Sequence, residues 1–226
     1  MVTPLWLGIK HKTKQAALGF LLALACLCLP VQAFDLDLDI LKQVKERFGD
    51  RASARILAWQ KIVRDNQHLE QKEKLKLINE FFNQVRFLSD QEHWQREDYW
   101  ATPLEMLATN GADCEDYSIA KYFTLRELGI ADEQLKITYV KALRINQAHM
   151  VLAYYPEPGA EPLILDNLIN DILPASERPD LAPVYSFNGE GLWLSKLSSQ
   201  EGKRIGEASK LKNWQDNMTR HNRLFK

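Results

Sequence analysis

The hydrophobic period of this chain changes once, near Gly129, and that change constrains the fold more than any other feature. Before it, apolar residues recur at helical spacing. Leu38, Leu41, Val44 and Phe48 share one face, and Gly49 stops that pattern. Ile56, Trp59, Ile62 and Val63 form a second stripe, and Leu75, Ile78, Phe82 and Val85 a third. In "EDYSIAKYFTLRELG", Ile119, Ala120, Tyr122, Phe123, Leu125 and Leu128 are too many for one narrow stripe, so that helix is expected to be largely buried, with Gly129 as its stop. After Gly129 the period falls to two. Ile137, Tyr139 and Lys141 alternate with Thr138, Val140 and Ala142. "HMVLAYY", the turn-rich "PEPGAEP" and "LILDNLI" then read as a hairpin, and "PVYSF-NGEG-LWLSKL" as another. Helices first and antiparallel strands second predict an α+β domain. Between the two halves, residues 89–112 are rich in turns and aromatics, with a short helix capped by Thr102 and opened by Pro103. The tail from Glu201 is polar and partly basic and shows no clear contribution to a core.

The first 33 residues carry a different pattern. Lys10, Lys12 and Lys14 precede an apolar run from Ala16 to Leu29, and Val31-Gln32-Ala33 puts small residues at −3 and −1. This is the pattern of a secretory signal peptide cleaved after Ala33. The run of 14 residues is shorter than the ~20 a membrane span needs. The expected organisation is therefore a leader over 1–33 and one domain over 34–226. Beyond the leader stand 26 basic and 30 acidic side chains, a formal charge of −4, which is no footprint for nucleic acid.

Two of the three cysteines, Cys26 and Cys28, fall in the leader, so Cys114 has no partner for an internal disulfide. It is either a reactive thiol or a small buried hydrophobe. Its setting is "NGADCEDY", with Asp113 placed to cap a helix and Asp116 three residues on, the spacing of a capping box. The thiol then sits in a first turn whose unpaired amides and dipole favour a thiolate and could hold an oxyanion. Against this, three carboxylates in four residues raise a thiol's pKa. As hard oxygen donors, Asp113, Glu115 and Asp116 could instead hold Ca²⁺, which would cancel that charge; the alternative is that they cap the helix.

A nucleophile needs a base. His11 lies in the leader, His68 in a polar stretch, His93 in the aromatic loop and His221 in the tail. His149 opens an otherwise apolar strand. If Tyr155 faces Pro162, residue numbers across the hairpin sum to 317, and His149 becomes a diagonal neighbour of Asp166. A carboxylate there fixes the imidazole's tautomer and stabilises its cation. The Cys114 amide is one oxyanion donor; Trp100 or Asn110 could supply another, and Trp94, Tyr99 and Trp100 could line a substrate groove.

Cys114, His149 and Asp166 follow the Cys-His-Asp order of papain-like and transglutaminase-like enzymes. "DYWATPLEMLATNGADCEDYSIAKYFTLRELGI", "AHMVLAYY" and "LILDNL" together resemble the bacterial transglutaminase-like cysteine proteinases of the LapG type, best from about Tyr99 to Leu168. The resemblance implies a papain-like core and a periplasmic, calcium-dependent endopeptidase. It would clip the N-terminal region of a large surface adhesin under control of an inner-membrane cyclic-di-GMP receptor. It also implies Cys114 as nucleophile, His149 as base, Asp166 as orienting acid, and Asp113 and Glu115 as calcium ligands with Asp116 as a third. Two other functions fit the same residues: acyl transfer to an amine, as transglutaminases perform, and calcium-responsive binding without catalysis.

Overall fold

The computed structural model describes residues 36–194 and 202–224. The expected signal peptide lies outside the described residues. The chain opens with helices α1 (Leu38–Phe48), α2 (Asp50–Asp65) and α3 (Gln71–Phe82). Asp37 caps α1 by accepting the Asp39 amide (2.9 Å). Gly49, at φ +84, takes the left-handed turn that lets α2 follow without a loop. The second and third apolar stripes face inward, with Ile56, Trp59, Val63, Leu75, Ile78 and Phe82 all buried, but of the first only Val44 is buried: Leu38 (79% exposed) and Phe48 (41%) point to solvent.

A two-residue strand β1 (Arg86–Phe87) and a single helical turn α4 (Asp90–His93) lead into the aromatic loop. Helix α5 (Pro103–Thr109) begins, as expected, with Thr102 accepting the Glu105 amide, and Pro103 occupies its first position. It ends at Asn110, whose left-handed φ of +56 turns the chain into strand β2 (Gly111–Ala112), paired in parallel with β1. Directly after β2 comes α6 (Cys114–Glu127), the central helix. Every residue from Glu115 to Leu125 on it is buried, as its apolar excess predicted. Trp59 of α2 donates its indole N–H to Thr124 Oγ1 of α6 (2.8 Å), and α3 packs on the same helix.

The strands that follow are β3 (Leu135–Ala142), β4 (Gln147–Tyr154), β5 (Leu163–Leu165), β6 (Leu173–Pro174), β7 (Leu181–Phe187), β8 (Leu192–Leu194) and β9 (Lys203–Gly206). They form one antiparallel sheet in the order β6-β5-β4-β3-β7-β8-β9. Alternation divides β4: Met150, Leu152 and Tyr154 join the main core beneath α6, while Val151 and Ala153 join Val140 and Ile164 in a small second cluster. The α+β architecture is the expected one.

The tail departs from its sequence reading. It forms β9 and then a helix, α7 (Lys212–Asn222), whose Trp214 and Asn217 are fully buried and whose His221 is nearly so. Trp214 packs against Tyr122, Phe123 and Phe187 and donates its indole N–H to the Asn188 carbonyl (3.1 Å). Leu211, Trp214 and Met218 do recur at helical spacing, a short stripe masked by the polar residues between them, and Leu211 and Met218 pack on the core beside Trp214.

Candidate active site

The thiol is placed by the start of α6. Asp113 stands at the N-cap position, and Asp116 accepts its backbone amide (3.4 Å), the reciprocal half of a capping box. Ser118 Oγ donates to the Cys114 carbonyl (3.0 Å) and fastens the first turn. Ladder pairing of β5 with β4 runs only over Leu152–Tyr154. Met150 lies past its end, and the Met150 amide is turned to the sulfur of Cys114. The thiol therefore meets β4 one residue from His149.

The hairpin register is the one that places His149 beside Asp166. Leu152 faces Leu165, Ala153 faces Ile164 and Tyr154 faces Leu163, so each pair of numbers sums to 317. Asp166 follows the last paired residue of β5. His149 Nε2 and Asp166 Oδ1 are 2.8 Å apart, both side chains almost wholly buried. Oδ1 also accepts the Leu168 amide (3.0 Å), and Oδ2 accepts Nη2 of Arg178 (2.7 Å). Burial alone pushes the Asp166 carboxyl up. The bonds from His149, Leu168 and Arg178 outweigh that and hold it at about 2. With Nε2 committed to Asp166, Nδ1 is the ring nitrogen left for proton exchange.

The thiol's own surroundings are hostile to ionisation. Burial first, then the Glu115 charge and the bond from Sγ to Glu115 Oε2 (3.1 Å), push the Cys114 thiol far up, and the Met150 amide only partly opposes this. The acidic cluster beside it is not the one the sequence suggested. Asp90 joins Asp113 and Glu115, with one ligand atom from each lying within 4.8 Å of the others. Asp116 is turned elsewhere: its Oδ1 accepts the Ala101 amide (2.6 Å) and its Oδ2 the Asp113 amide, so it ties α6 to the aromatic loop instead of completing the cluster. Burial, and then the charges of Glu115 and Asp116, push the Asp113 carboxyl up to about 10; burial pushes Asp90 to about 6.

These residues fit a hard cation. Asp90 Oδ1 and Asp113 Oδ1 are buried and have no hydrogen-bond partner among the described residues. Three carboxylates packed together without a cation carry a repulsion that a divalent ion of the calcium type, which takes carboxylate oxygens, would remove.

Asp90 gives no signal in the sequence. It falls inside the Ser89–Glu92 capping box of α4 and reads as part of a cap. Arg178, in "SERPDL", reads as an ordinary loop charge. Of the other candidates, Trp100 is core, stacked on Phe187 at 5.6 Å, and Asn110 serves as the α5 cap. Trp94 packs against Tyr99 with ring centroids 4.7 Å apart and planes tilted by 49°. His93 is bonded to Thr109 (2.8 Å), and His221 is stacked on Phe123.

Residues 51–181 match the family model described as bacterial transglutaminase-like cysteine proteinase, BTLCP. Among solved structures, LapG of Legionella pneumophila is similar at 44% identity and a TM-score of 0.71, covering 81% of this chain and 94% of that one. An EGTA-treated form of the same protein gives 44% identity and 0.71, over 81% and 96% of the two chains. A calcium-bound form gives 42% and 0.69, over 80% and 97%. No match is found among curated protein sequences.

Proposed function

This chain belongs to the bacterial transglutaminase-like cysteine proteinase family, and from that premise we propose that it is a calcium-dependent cysteine endopeptidase acting through Cys114, His149 and Asp166. The observation that carries the reading is the pair of Cys114, at the start of α6 facing the Met150 amide, and His149, locked at 2.8 Å to a buried Asp166.

Nδ1 of His149 takes the thiol proton as Sγ attacks the carbonyl carbon of a peptide bond. The Cys114 amide, unpaired at the helix start, donates to the oxyanion that forms. The imidazolium returns its proton to the leaving amine, and a thioester remains on Sγ. Water, deprotonated by the same imidazole, then releases the carboxylic product and restores the thiol. Asp166 stays ionised throughout and fixes the tautomer.

Asp90, Asp113 and Glu115 are the residues that would hold calcium, a reading supported by the calcium-bound state of the LapG relative. When bound, the ion neutralises the carboxylates beside the thiol and lowers the cost of a thiolate. Residues 1–33 carry a leader pattern, from which we place the enzyme in the periplasm. As substrate we assign the N-terminal region of a large surface adhesin, and as regulator an inner-membrane cyclic-di-GMP receptor; the LapG-type motifs support both.

The test is incubation of the processed chain with such an adhesin segment. Two fragments in calcium, none in EGTA and none with Cys114→Ala are expected. Cleavage that survives Cys114→Ala refutes the catalytic assignment, and an amine-labelled product in place of two fragments points to acyl transfer.

A further inference from the structure

We propose that Arg178 is a positioning residue for Asp166: it engages one carboxylate oxygen so that the other is held on His149. This inference rests on the triad assigned above. Asp166 divides its oxygens between two partners, with Nη2 of Arg178 on Oδ2 (2.7 Å) and Nε2 of His149 on Oδ1 (2.8 Å). A carboxylate free to rotate presents either oxygen in turn. One oxygen held by a guanidinium cannot rotate without breaking a charge-assisted bond.

The guanidinium is itself fixed. Nε of Arg178 donates to Asp180 Oδ1 (3.0 Å) and Nη2 to Asp180 Oδ2 (2.9 Å). The backbone around it is tied in a short turn, Arg178 N to the Ala175 carbonyl (3.1 Å) and Leu181 N to the Arg178 carbonyl (3.1 Å). The Asp180 carbonyl accepts the Leu143 amide (2.8 Å) in the β3–β4 turn, so the anchor reaches the hairpin that carries His149. From the α3 side, Asn83 Nδ2 donates to the Asp166 carbonyl (2.8 Å). Arg178 is 3% exposed and Asp166 not at all, so solvent cannot replace the bond.

The charged groups facing Asp166 are His149 from β4, Lys121 from α6, and Arg178 and Asp180 from the segment before β7. Lys121 acts only through its field, since it forms no ion pair with Asp166 among the described residues. Arg178 bonds directly, on the oxygen that His149 does not use. An Arg-to-Lys exchange keeps the charge but loses the fork that spans Asp166 and Asp180.

The experiment is a double-mutant cycle on the processed, calcium-loaded chain with the adhesin segment as probe. Arg178→Gln is expected to lower kcat about 10²-fold with KM unchanged, as a misplaced base does. Arg178→Lys is expected to recover part of that loss. In an Asp166→Asn background, where no carboxylate remains to be positioned and no buried charge is left unpaired, Arg178→Gln is expected to leave the residual rate unchanged. The Nε2-bound proton of His149, followed by NMR without substrate, is expected to be distinct in the parent and to broaden into solvent exchange in Arg178→Gln. Equal fold losses in both backgrounds, or a sharp Nε2 proton in Arg178→Gln, overturn the proposal. Cleavage by His149→Ala at the parent rate overturns the triad instead, so the two failures are distinguishable.

Discussion

Asn217 links the C-terminal helix to the acidic site, and its removal can be followed step by step. Its Nδ2 donates to the carbonyls of Trp100 (2.8 Å) and Ala101 (2.9 Å), and the residue is fully buried. In Asn217→Ala the Trp100 carbonyl keeps a donor, because Arg220 Nη2 also reaches it. The Ala101 carbonyl keeps none among the described residues, and a buried orphaned acceptor costs about 1–3 kcal/mol. Asn217→Asp costs more, about 3–5 kcal/mol, since it turns an uncompensated charge toward two carbonyls. The same loop sends the Tyr99 amide to Asp90 Oδ2 and the Ala101 amide to Asp116 Oδ1. Loosening it frees Asp90 from its orientation, and losing such an outer partner weakens a metal site about 10–100-fold. Urea unfolding in EGTA reads the stability loss, and calorimetric titration with CaCl₂ reads the affinity. A lowered urea midpoint with calcium affinity equal to the parent's would show that α7 supports the fold alone, and the linkage from α7 through the loop to the site would be wrong.

Three further outcomes are expected. Trp214→Ala empties a fully buried site and strands the Asn188 carbonyl, so urea unfolding should show a loss of about 3–5 kcal/mol; a loss under about 1 kcal/mol would mean that α7 does not dock as described. Asp90→Asn should weaken calcium binding at least about tenfold while leaving the urea midpoint in EGTA no lower, because one of three mutually repelling carboxylates is gone; unchanged affinity would remove Asp90 from the ligand set. Lys121, 1% exposed, is pushed down by burial to about 7, so between there and its unfolded value of about 10.4 the unfolded chain binds a proton that the folded chain does not. Its contribution to stability therefore rises with pH across that window, by at most about 1.4 kcal/mol per unit, and Lys121→Met should flatten the rise in a pH series of urea midpoints; an identical slope in both proteins would show that Lys121 does not titrate there.

Much of the molecule was legible because its determinants are local. Apolar spacing located α1 to α3 and the buried α6, and the change to period two located the sheet. Thr102–Pro103 opened α5, and the Asp113–Asp116 spacing marked the turn that lifts Cys114. Even the meeting of His149 with Asp166 was readable, since a hairpin register is fixed by one loop and one alternation. That loop is short enough for arithmetic on residue numbers to hold across it.

The remainder depended on contacts between segments far apart in the chain. Asp90 reaches Asp113 and Glu115 because β1 pairs with β2, about 25 residues later in the chain, and the Leu88 amide donates to the Ala112 carbonyl (2.9 Å), which sets α4 beside the start of α6. Asp116 was assigned to the metal by its neighbours in sequence and was drawn away by the amide of Ala101, 15 residues earlier. Arg178 meets Asp166 across the turn after β6, and Trp214 finds its pocket between α6 and β7. The sequence by itself determined most of the elements, the helix that carries Cys114 and the His–Asp register, because period, capping and hairpin pairing act over a few residues. Which carboxylates cluster and which cation holds Asp166 were decided by tertiary structure. Burial and long-range hydrogen bonds, which no local pattern encodes, made those choices.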